Sequence, residues 1–164
     1  MPCKDALLTG ALVAKKGQTV EEVVAMLEKE NIRAVPVVDE KNILIGLFSY
    51  KSLFTRLLPV SATMEDGLQS LDFIVGAVPG IAKRLRKLYP QNVEDIANKD
   101  CKVLYPETPS WEAVRLIVKY GSPIPVVDDK TGEFMGIITK QSLMSDFKCI
   151  IAELEAEGAF DNKD

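Results

Sequence analysis

The sequence contains no histidine, the side chain that most often acts as a general base near neutral pH. Nucleophile activation by a Ser-His-Asp or Cys-His arrangement is therefore excluded. The glycine-rich patterns of the common phosphate-binding loops, G-x-x-x-x-G-K-[ST] and G-x-G-x-x-G, are absent as well. Because no nucleophile is paired with a base elsewhere in the chain, the sequence favours a protein that is not an enzyme.

Cysteines are few, and their spacing indicates neither a metal site nor a set of disulfides. Cys3, Cys101 and Cys149 are odd in number and scattered, with no metal-ligand spacing and no disulfide framework. This usage favours a reducing, cytoplasmic compartment. No basic start precedes an apolar core, and no apolar run approaches the ~18 residues of a membrane-spanning helix. The net charge of −4 gives no general attraction to nucleic acid or anionic membrane, so neither is expected as a partner.

The sequence does contain an internal repeat within its 164 residues. The segment A-V-P-V-V-D at 34–39 returns as I-P-V-V-D at 124–128. Each copy is followed by an apolar segment with a central glycine, and Gly46 and Gly136 lie 90 residues apart. The offset slips to 89 at the prolines, and length changes of this kind are confined to predicted turns. We conclude that the chain is a duplication.

Hydrophobic periodicity predicts an α+β fold with the order strand, helix, strand, strand, helix in each copy. Pro36 cannot donate to a strand ladder, which favours an edge or irregular position for it. The predicted domains are repeat 1 at 1–58, a helical connector at 59–92, repeat 2 at 93–145, and a C-terminal helix extension and tail at 146–164. The predicted elements are strands at 11–14, 34–38, 43–48, 101–105, 124–127 and 133–139, and helices at 20–31, 50–58, 64–78, 81–89, 109–120 and 140–157.

These residues resemble the cystathionine-β-synthase (CBS) domain, two copies of which form the unit called a Bateman module. The resemblance rests on the apolar-Pro-Val-Val-Asp strand, the turn, the apolar-Gly strand, and the Ser or Thr followed by Ser-Leu at the helix start. It implies two pseudo-symmetric βαββα repeats in one CBS-pair module, with clefts between the repeats. It also implies a regulatory, allosteric sensor whose ligand is an adenine nucleotide (AMP, ADP or ATP) or S-adenosylmethionine, with no required cofactor.

The resemblance carries functional residues onto both copies. Ser49 and Thr139 match the hydroxyl that contacts phosphate, at a helix start where an anion is also favoured. The family's ribose-binding Asp is replaced by Ser52 and Ser142. The strand segments that would border the adenine are Arg33, Ala34, Val35 and Pro36 in the first copy and Ile124 and Pro125 in the second.

Structural roles compete with these assignments. Ser49 and Thr139 are also suited to cap their helices, and Ser52 and Ser142 to occupy the first helical turn. A serine cannot act as a charged, bidentate acceptor, so a second interpretation stays open. In it the chain is a ligand-free structural or protein-interaction module.

The last predicted helix carries more apolar residues than a small module needs, and we therefore expect a homodimer. These residues are Leu143, Met144, Phe147, Ile150, Ile151 and Leu154. The protein partner that such a sensor would regulate is not indicated by the sequence.

Overall fold

A computed structural model describes residues 1–58 and 78–158 as two compact units. The described residues of the first unit are 12–58 and 78–101, and those of the second are 1–11 and 102–158. The units therefore differ from the repeats read along the sequence. Residues 1–11 of the predicted repeat 1 belong to the second unit, and residues 93–101 of the predicted repeat 2 belong to the first.

The first unit is built on a three-stranded sheet in the order β1-β2-β3. Strand β1 runs parallel to β2, and β2 runs antiparallel to β3. The elements are β1 (Ala14–Lys15), α1 (Val20–Glu30), β2 (Ala34–Val38), β3 (Leu44–Ser49), α2 (Tyr50–Leu57), α3 (Val78–Leu88) and α4 (Val93–Ile96).

Helix α1 shows why the local sequence predicts this unit well. Thr19 and Glu22 form a capping box, in which each side chain accepts a hydrogen bond from the other residue's backbone N–H. Asn31 ends the helix in the left-handed conformation, with φ of 52°. The face between these ends buries Val20, Val23, Val24 and Leu27 in the core of the unit.

The second unit repeats this plan. A short 3-10 turn (Cys3–Ala6) precedes α5 (Ser110–Tyr120), β4 (Ile124–Val127), β5 (Phe134–Ile138) and α6 (Lys140–Ala156). Strands β4 and β5 are antiparallel. Leu104 forms a parallel bridge with Val126, as Ala14 does with Val37 in the first unit. Leu104 follows Ala14 by 90 residues, and Val126 follows Val37 by 89.

Each unit contains two bridges to a lead segment, which comprises residues 92–98 in the first unit and residues 2–8 in the second. In the first unit the backbone of Asn98 exchanges two hydrogen bonds with Leu47, of 2.9 and 3.0 Å. In the second unit Leu8 exchanges two with Ile137, of 2.9 and 3.1 Å. Leu8 and Asn98 are separated by the repeat offset of 90, as are Leu47 and Ile137. The same construction therefore occurs twice.

The lead segments explain the glycine of the repeated motif. A Cβ atom built on Gly46 would lie 2.6 Å from the carbonyl oxygen of Asn98. On Gly136 it would collide with the carbonyl oxygen of Leu8. Only a residue without a side chain allows the two backbones to approach this closely.

Pro36 lies in β2, the middle strand of the first sheet, one residue before a register shift between Val37 and Val38. Leu47 lies opposite Pro36 in β3, but its backbone N–H and carbonyl oxygen are both hydrogen-bonded to the backbone of Asn98. On the other side β1 is too short to reach Pro36, because its pairing with β2 begins opposite Val37. The missing N–H therefore removes no ladder hydrogen bond.

The described part of the connector is α3 and the turn after it. Arg84 donates from Nη1 to the carbonyl oxygen of Leu57 at 3.0 Å, and Leu85 and Leu88 pack against the core of the first unit. The predicted helical pattern at 64–78 falls, up to residue 77, outside the described residues. The predicted tail is described only as far as residue 158.

Candidate functional site

The first candidate site lies where the β2–β3 hairpin meets the start of α2. The sheet register sets Ala34 opposite Ser49, and Ser49 is the N-cap of α2. The N–H of Tyr50 donates to the carbonyl oxygen of Arg33 at 3.3 Å. Arg33, Ala34 and Ser49 are therefore brought together at one end of the hairpin, and the Arg33 side chain is exposed there.

Ser49 and Ser52 form a closed capping box at this junction. The Ser49 Oγ accepts from the N–H of Ser52 at 3.1 Å, and the Ser52 Oγ accepts from the N–H of Ser49 at 2.9 Å. The Ser52 hydroxyl also donates to the Ser49 carbonyl oxygen at 2.7 Å. Both hydroxyl groups are thus engaged with the helix terminus that they cap.

The second candidate site repeats this geometry where β5 meets α6. Thr139 is the N-cap, and its Oγ1 accepts from the N–H of Ser142 at 3.0 Å. The Ser142 Oγ accepts from the N–H of Thr139 at 2.9 Å and donates to its carbonyl oxygen at 3.1 Å. Ile124 reaches the same junction because it pairs with Ile138.

Ser122 also belongs to the second junction, although sequence reasoning missed it. Its Oγ accepts a hydrogen bond from the N–H of Lys140 at 3.4 Å. In the first junction the corresponding N–H, that of Tyr50, donates to the carbonyl oxygen of Arg33. The signal was present in the sequence, because Ser122 and Arg33 are separated by the offset of 89 that relates the prolines.

The remaining predicted residues of the strands are buried. Val35 is fully inaccessible and Ile124 is 2% exposed, and each belongs to the hydrophobic core of its own unit. Pro36 and Pro125 are also fully buried, and the Pro125 carbonyl oxygen accepts from the N–H of Leu104 at 2.9 Å. These side chains stabilise the fold, so a ligand could meet this part of the strands only through backbone groups.

The electrostatics of both junctions favour an anion. Neither α2 nor α6 has an acidic residue in its first turn, whereas Lys51 and Lys140 lie there. The starts of α1 and α5 carry glutamates instead. A helix N-terminus is positive, so α2 and α6 present the ends better suited to a phosphate.

Two acidic residues that occupy the same position in both copies of the repeat lie at the far ends of the hairpins and take no part in these junctions. The Asp39 carboxylate accepts from the N–H groups of Lys41 and Ile43, at 2.8 and 2.9 Å. The Asp128 carboxylate accepts from those of Thr131 and Lys130, both at 2.9 Å, and these bonds lower the pKa of Asp128. Both aspartates thus stabilise turns, as Asx-turn chemistry predicts.

Metal-binding and membrane-spanning features were also sought in the part of the chain that the structure describes. Within residues 1–58 and 78–158, no three side chains of His, Cys, Asp or Glu come together in a way that could hold a metal ion. None of the helices in these residues is both long and apolar enough to cross a bilayer.

Comparison with known proteins identifies the family. A family model described as the CBS domain matches residues 3–59 and 93–148, which together make up more than half of the chain. The chain belongs to the CBS-domain family. Its two matched segments make it a tandem CBS pair, as the repeated motif predicts.

Solved CBS-pair structures share this fold. CBSX2 from Arabidopsis thaliana is 22% identical with a TM-score of 0.68, over 92% of this chain and 96% of that one. A structure of CBSX2 in complex with AMP has a TM-score of 0.66, with 22% identity over 91% and 97% of the two chains. A structure of CbpB in complex with c-di-AMP has a TM-score of 0.67, with 14% identity over 96% and 91%. The predicted α+β fold of two CBS repeats is confirmed.

One curated relative is an enzyme of much greater length. The A-adding tRNA nucleotidyltransferase of Aquifex aeolicus is 26% identical over 147 residues, which cover 88% of this chain. This chain spans only 14% of the length of that protein. The match therefore concerns a small part of that protein, and CBS-pair modules are generally regulatory and not catalytic.

Proposed function

We propose that this CBS pair is a regulatory module that binds an adenosine-containing ligand, such as AMP, ADP, ATP or S-adenosylmethionine, at its two strand–helix junctions. The observation that carries the proposal is the matched pair of helix starts at Ser49 and Thr139. Each combines a hydroxyl N-cap, a positive helix end and a first turn free of carboxylates. The CBSX2 and CbpB complexes with AMP and c-di-AMP support a ligand of this chemical class.

In this proposal the phosphate contributes more to binding than the ribose. The hydroxyls of Ser52 and Ser142 already donate to the carbonyl oxygens of their N-caps. Either hydroxyl would have to break that bond before it could donate to a ribose oxygen. A serine also lacks the charge of the Asp in the family pattern, and charge-assisted hydrogen bonds are about twice as strong as neutral ones.

The matched capping boxes favour a second candidate function, a ligand-free structural or protein-interaction module. Because Ser52 and Ser142 are fully explained by helix capping, their presence requires no ligand. The two functions differ in one measurable respect, which is whether purified protein binds any adenosine-containing ligand.

Isothermal titration calorimetry with adenosine, AMP, ADP, ATP, c-di-AMP and S-adenosylmethionine decides between them. We expect binding of at least one nucleotide, with AMP binding more tightly than adenosine because the helix starts contact the phosphate. The absence of heat and of any thermal shift with all six at millimolar concentration would establish the ligand-free function instead.

Two double variants test whether positions 52 and 142 contact the ribose. The double variant Ser52→Asp/Ser142→Asp restores the carboxylate of the family pattern, and an acidic side chain is also favoured in a first helical turn. Replacing a neutral hydrogen bond by a charge-assisted one is expected to tighten the binding of adenosine, which has no phosphate for the new carboxylate to repel, by about 2- to 30-fold per site. The matched control, Ser52→Asn/Ser142→Asn, has the same shape without the charge and should show no such gain. Equal affinities for both double variants would contradict ribose contact at these positions.

The setting in which the module acts is part of the same proposal. We place it in the cytoplasm, where the three cysteines, all free in this structure, would stay reduced. Its regulatory output would follow from a ligand that binds one conformation of the module more tightly than another, which changes the affinity for a partner protein.

A further inference from the structure

Helix α3 presents a dense group of positive charges to solvent. It contains four basic residues and no acidic one, in a chain whose net charge is −4. Lys83, Arg86 and Lys87 are exposed, and their spacings of three and four residues place them on one side of the helix. On the opposite side Leu85 and Leu88 pack against the core of the first unit, so the helix is held with this basic face outward.

The stability of the helix does not explain this charge. Like charges three or four residues apart destabilise a helix, and Lys83 has this relation to both Arg86 and Lys87. The helix dipole favours basic residues in the last turn, which accounts for Arg86 and Lys87 but not for Lys83. Both ion pairs found among the described residues lie in the second unit, so no described carboxylate forms an ion pair with the basic face.

The fourth basic residue attaches α3 to the end of α2, where two apolar side chains are exposed. Arg84 donates from Nη1 to the Leu57 carbonyl oxygen at 3.0 Å, which brings the end of α2 beside α3. At that end Phe54 is 57% exposed and Leu58 is 43% exposed. They lie one turn apart, since the Leu58 N–H donates to the Phe54 carbonyl oxygen at 3.2 Å. Exposed apolar surface therefore adjoins the basic helix.

The basic face is a feature of this chain and not of the CBS repeat. Helix α3 lies between residue 59 and residue 93, outside both segments that the CBS model matches. It has no counterpart in the part of the second unit that the structure describes. One side of the helix packs on the first unit, while the other side leaves charges exposed beside apolar side chains. Apolar surface bordered by charge in this way is typical of a contact with another molecule.

We propose that this surface, formed by Lys83, Arg86 and Lys87 of α3 with Phe54 and Leu58 of α2, binds an acidic peptide segment of a partner protein. Carboxylates of the segment pair with the three cations, and its apolar side chains cover the two exposed apolar residues. A nucleic-acid backbone supplies the negative charge but no apolar side chain. An anionic bilayer is extended and would repel the rest of the chain, whose net charge without α3 is more negative than −4.

Fluorescence anisotropy of a short labelled peptide of glutamate, leucine and glycine tests the contact, with the full chain and without nucleotide. We expect binding that weakens as salt is added. Lys83→Glu should weaken it by about tenfold, because an attraction becomes a repulsion. The new glutamate forms a favourable pair with Lys87 four residues later, so loss of the helix cannot explain weaker binding. The matched control is Lys41→Glu, the same change of charge at an exposed turn of the same unit, and it should leave the affinity unchanged.

The apolar part of the surface separates a peptide from other polyanions. Phe54→Ala should weaken peptide binding by about fivefold without changing its salt dependence, and a peptide with glutamine in place of glutamate should not bind. Absence of binding, or an unchanged affinity in Lys83→Glu, would overturn the proposal. So would tighter binding of single-stranded DNA or phosphatidylserine vesicles than of the peptide.

A second copy of the chain is the remaining occupant to exclude. A dimer that Phe54→Ala abolishes in sedimentation equilibrium would assign the apolar residues to that copy and would also overturn the proposal. Neither Lys83 nor Phe54 belongs to the strand–helix junctions, and the peptide is tested without nucleotide. Failure of the peptide contact and failure of ligand binding are therefore distinguishable.

Discussion

Substituting Gly46 by alanine should destabilise the first unit far more than a glycine-to-alanine change usually does. The added Cβ would lie 2.6 Å from the carbonyl oxygen of Asn98 and 3.0 Å from its carbonyl carbon. Ordinary contacts of a Cβ begin at 3.4 Å, so the Asn98 backbone would have to retreat by roughly 0.8 Å.

The magnitude follows from what holds Asn98 in place. Its backbone exchanges hydrogen bonds of 2.9 and 3.0 Å with Leu47, the residue next to Gly46. A retreat of that size from β3 would stretch both beyond the usual range, at about 0.5–1.5 kcal/mol each. If the backbone stays in place, overpacking costs about 1–3 kcal/mol instead. Either route gives an expected loss of about 2 kcal/mol in the free energy of unfolding.

Urea denaturation followed by far-ultraviolet circular dichroism measures this loss, with Gly80→Ala as the matched control. Gly80 lies in α3, and a Cβ there would meet no atom within 4 Å. The control should be neutral or stabilising by up to about 1 kcal/mol, because alanine favours a helix. The steric argument would be refuted if Gly46→Ala unfolded at the same urea concentration as the wild type.

Three further predictions concern local contacts. Ser142→Ala removes one half of the Thr139 capping box and should lower the free energy of unfolding by about 1 kcal/mol in urea titrations, whereas an unchanged value would show that the box adds nothing. The lowered pKa of Asp128 means that its contribution to stability is present above the pKa of the unfolded chain and is lost as the pH falls through the folded pKa. Asp128→Asn should therefore flatten the acid side of the melting-temperature profile, and an unchanged profile would contradict this. Burial and Glu112 raise the pKa of Cys3 to about 11, so iodoacetamide should label exposed Cys149 first, with Cys3 reacting only on unfolding by mass spectrometry.

Elements that depend on local chemistry could be predicted from the sequence. Strand β2 was expected at 34–38 and is Ala34–Val38, and β4 was expected at 124–127 and is Ile124–Val127. Helix α6 was expected to end near residue 157 and ends at Ala156. In each case an apolar run or a helical period is bounded by a turn signal or a cap, and such signals lie within a few residues of the element.

Features set by distant contacts were not predictable in this way. The expected strand at 101–105 is reduced to a single bridge at Leu104, and β1 begins at Ala14 although a strand was expected at 11–14. Both are short because only a brief stretch of the chain lies beside β4 or β2. Residues 1–11 belong to the second unit because Leu8 forms backbone hydrogen bonds with Ile137, more than a hundred residues away. No hydrophobic periodicity within either segment predicts that contact.

The candidate sites were predictable in their positions but only partly in their bonding. The repeat offset identified Ser49 and Thr139, and the hydroxyl pattern indicated helix caps. It did not show that Ser52 and Ser142 would complete capping boxes, since a box is usually closed by Glu or Gln at that position. In the structure the short serine side chain does reach back to the N-cap, with backbone N to Oγ distances of 2.9 Å at both sites.

Ligand binding and the self-association expected from the sequence can be separated by a last prediction. The junctions at Ser49 and Thr139 have the same hydrogen bonds in both units, whereas the exposed apolar residues Met144 and Ile151 belong to α6 alone. Ile151→Lys adds a charge to that exposed face, three turns away from the Thr139 junction, and should weaken a dimer that buries it. The variant should still bind ligand with the wild-type number of sites per chain, measured by calorimetry at a concentration where it is monomeric. Loss of both sites would mean instead that ligand binding needs the second copy, because a single charge on α6 cannot alter the hydrogen bonds at Ser49 in the other unit.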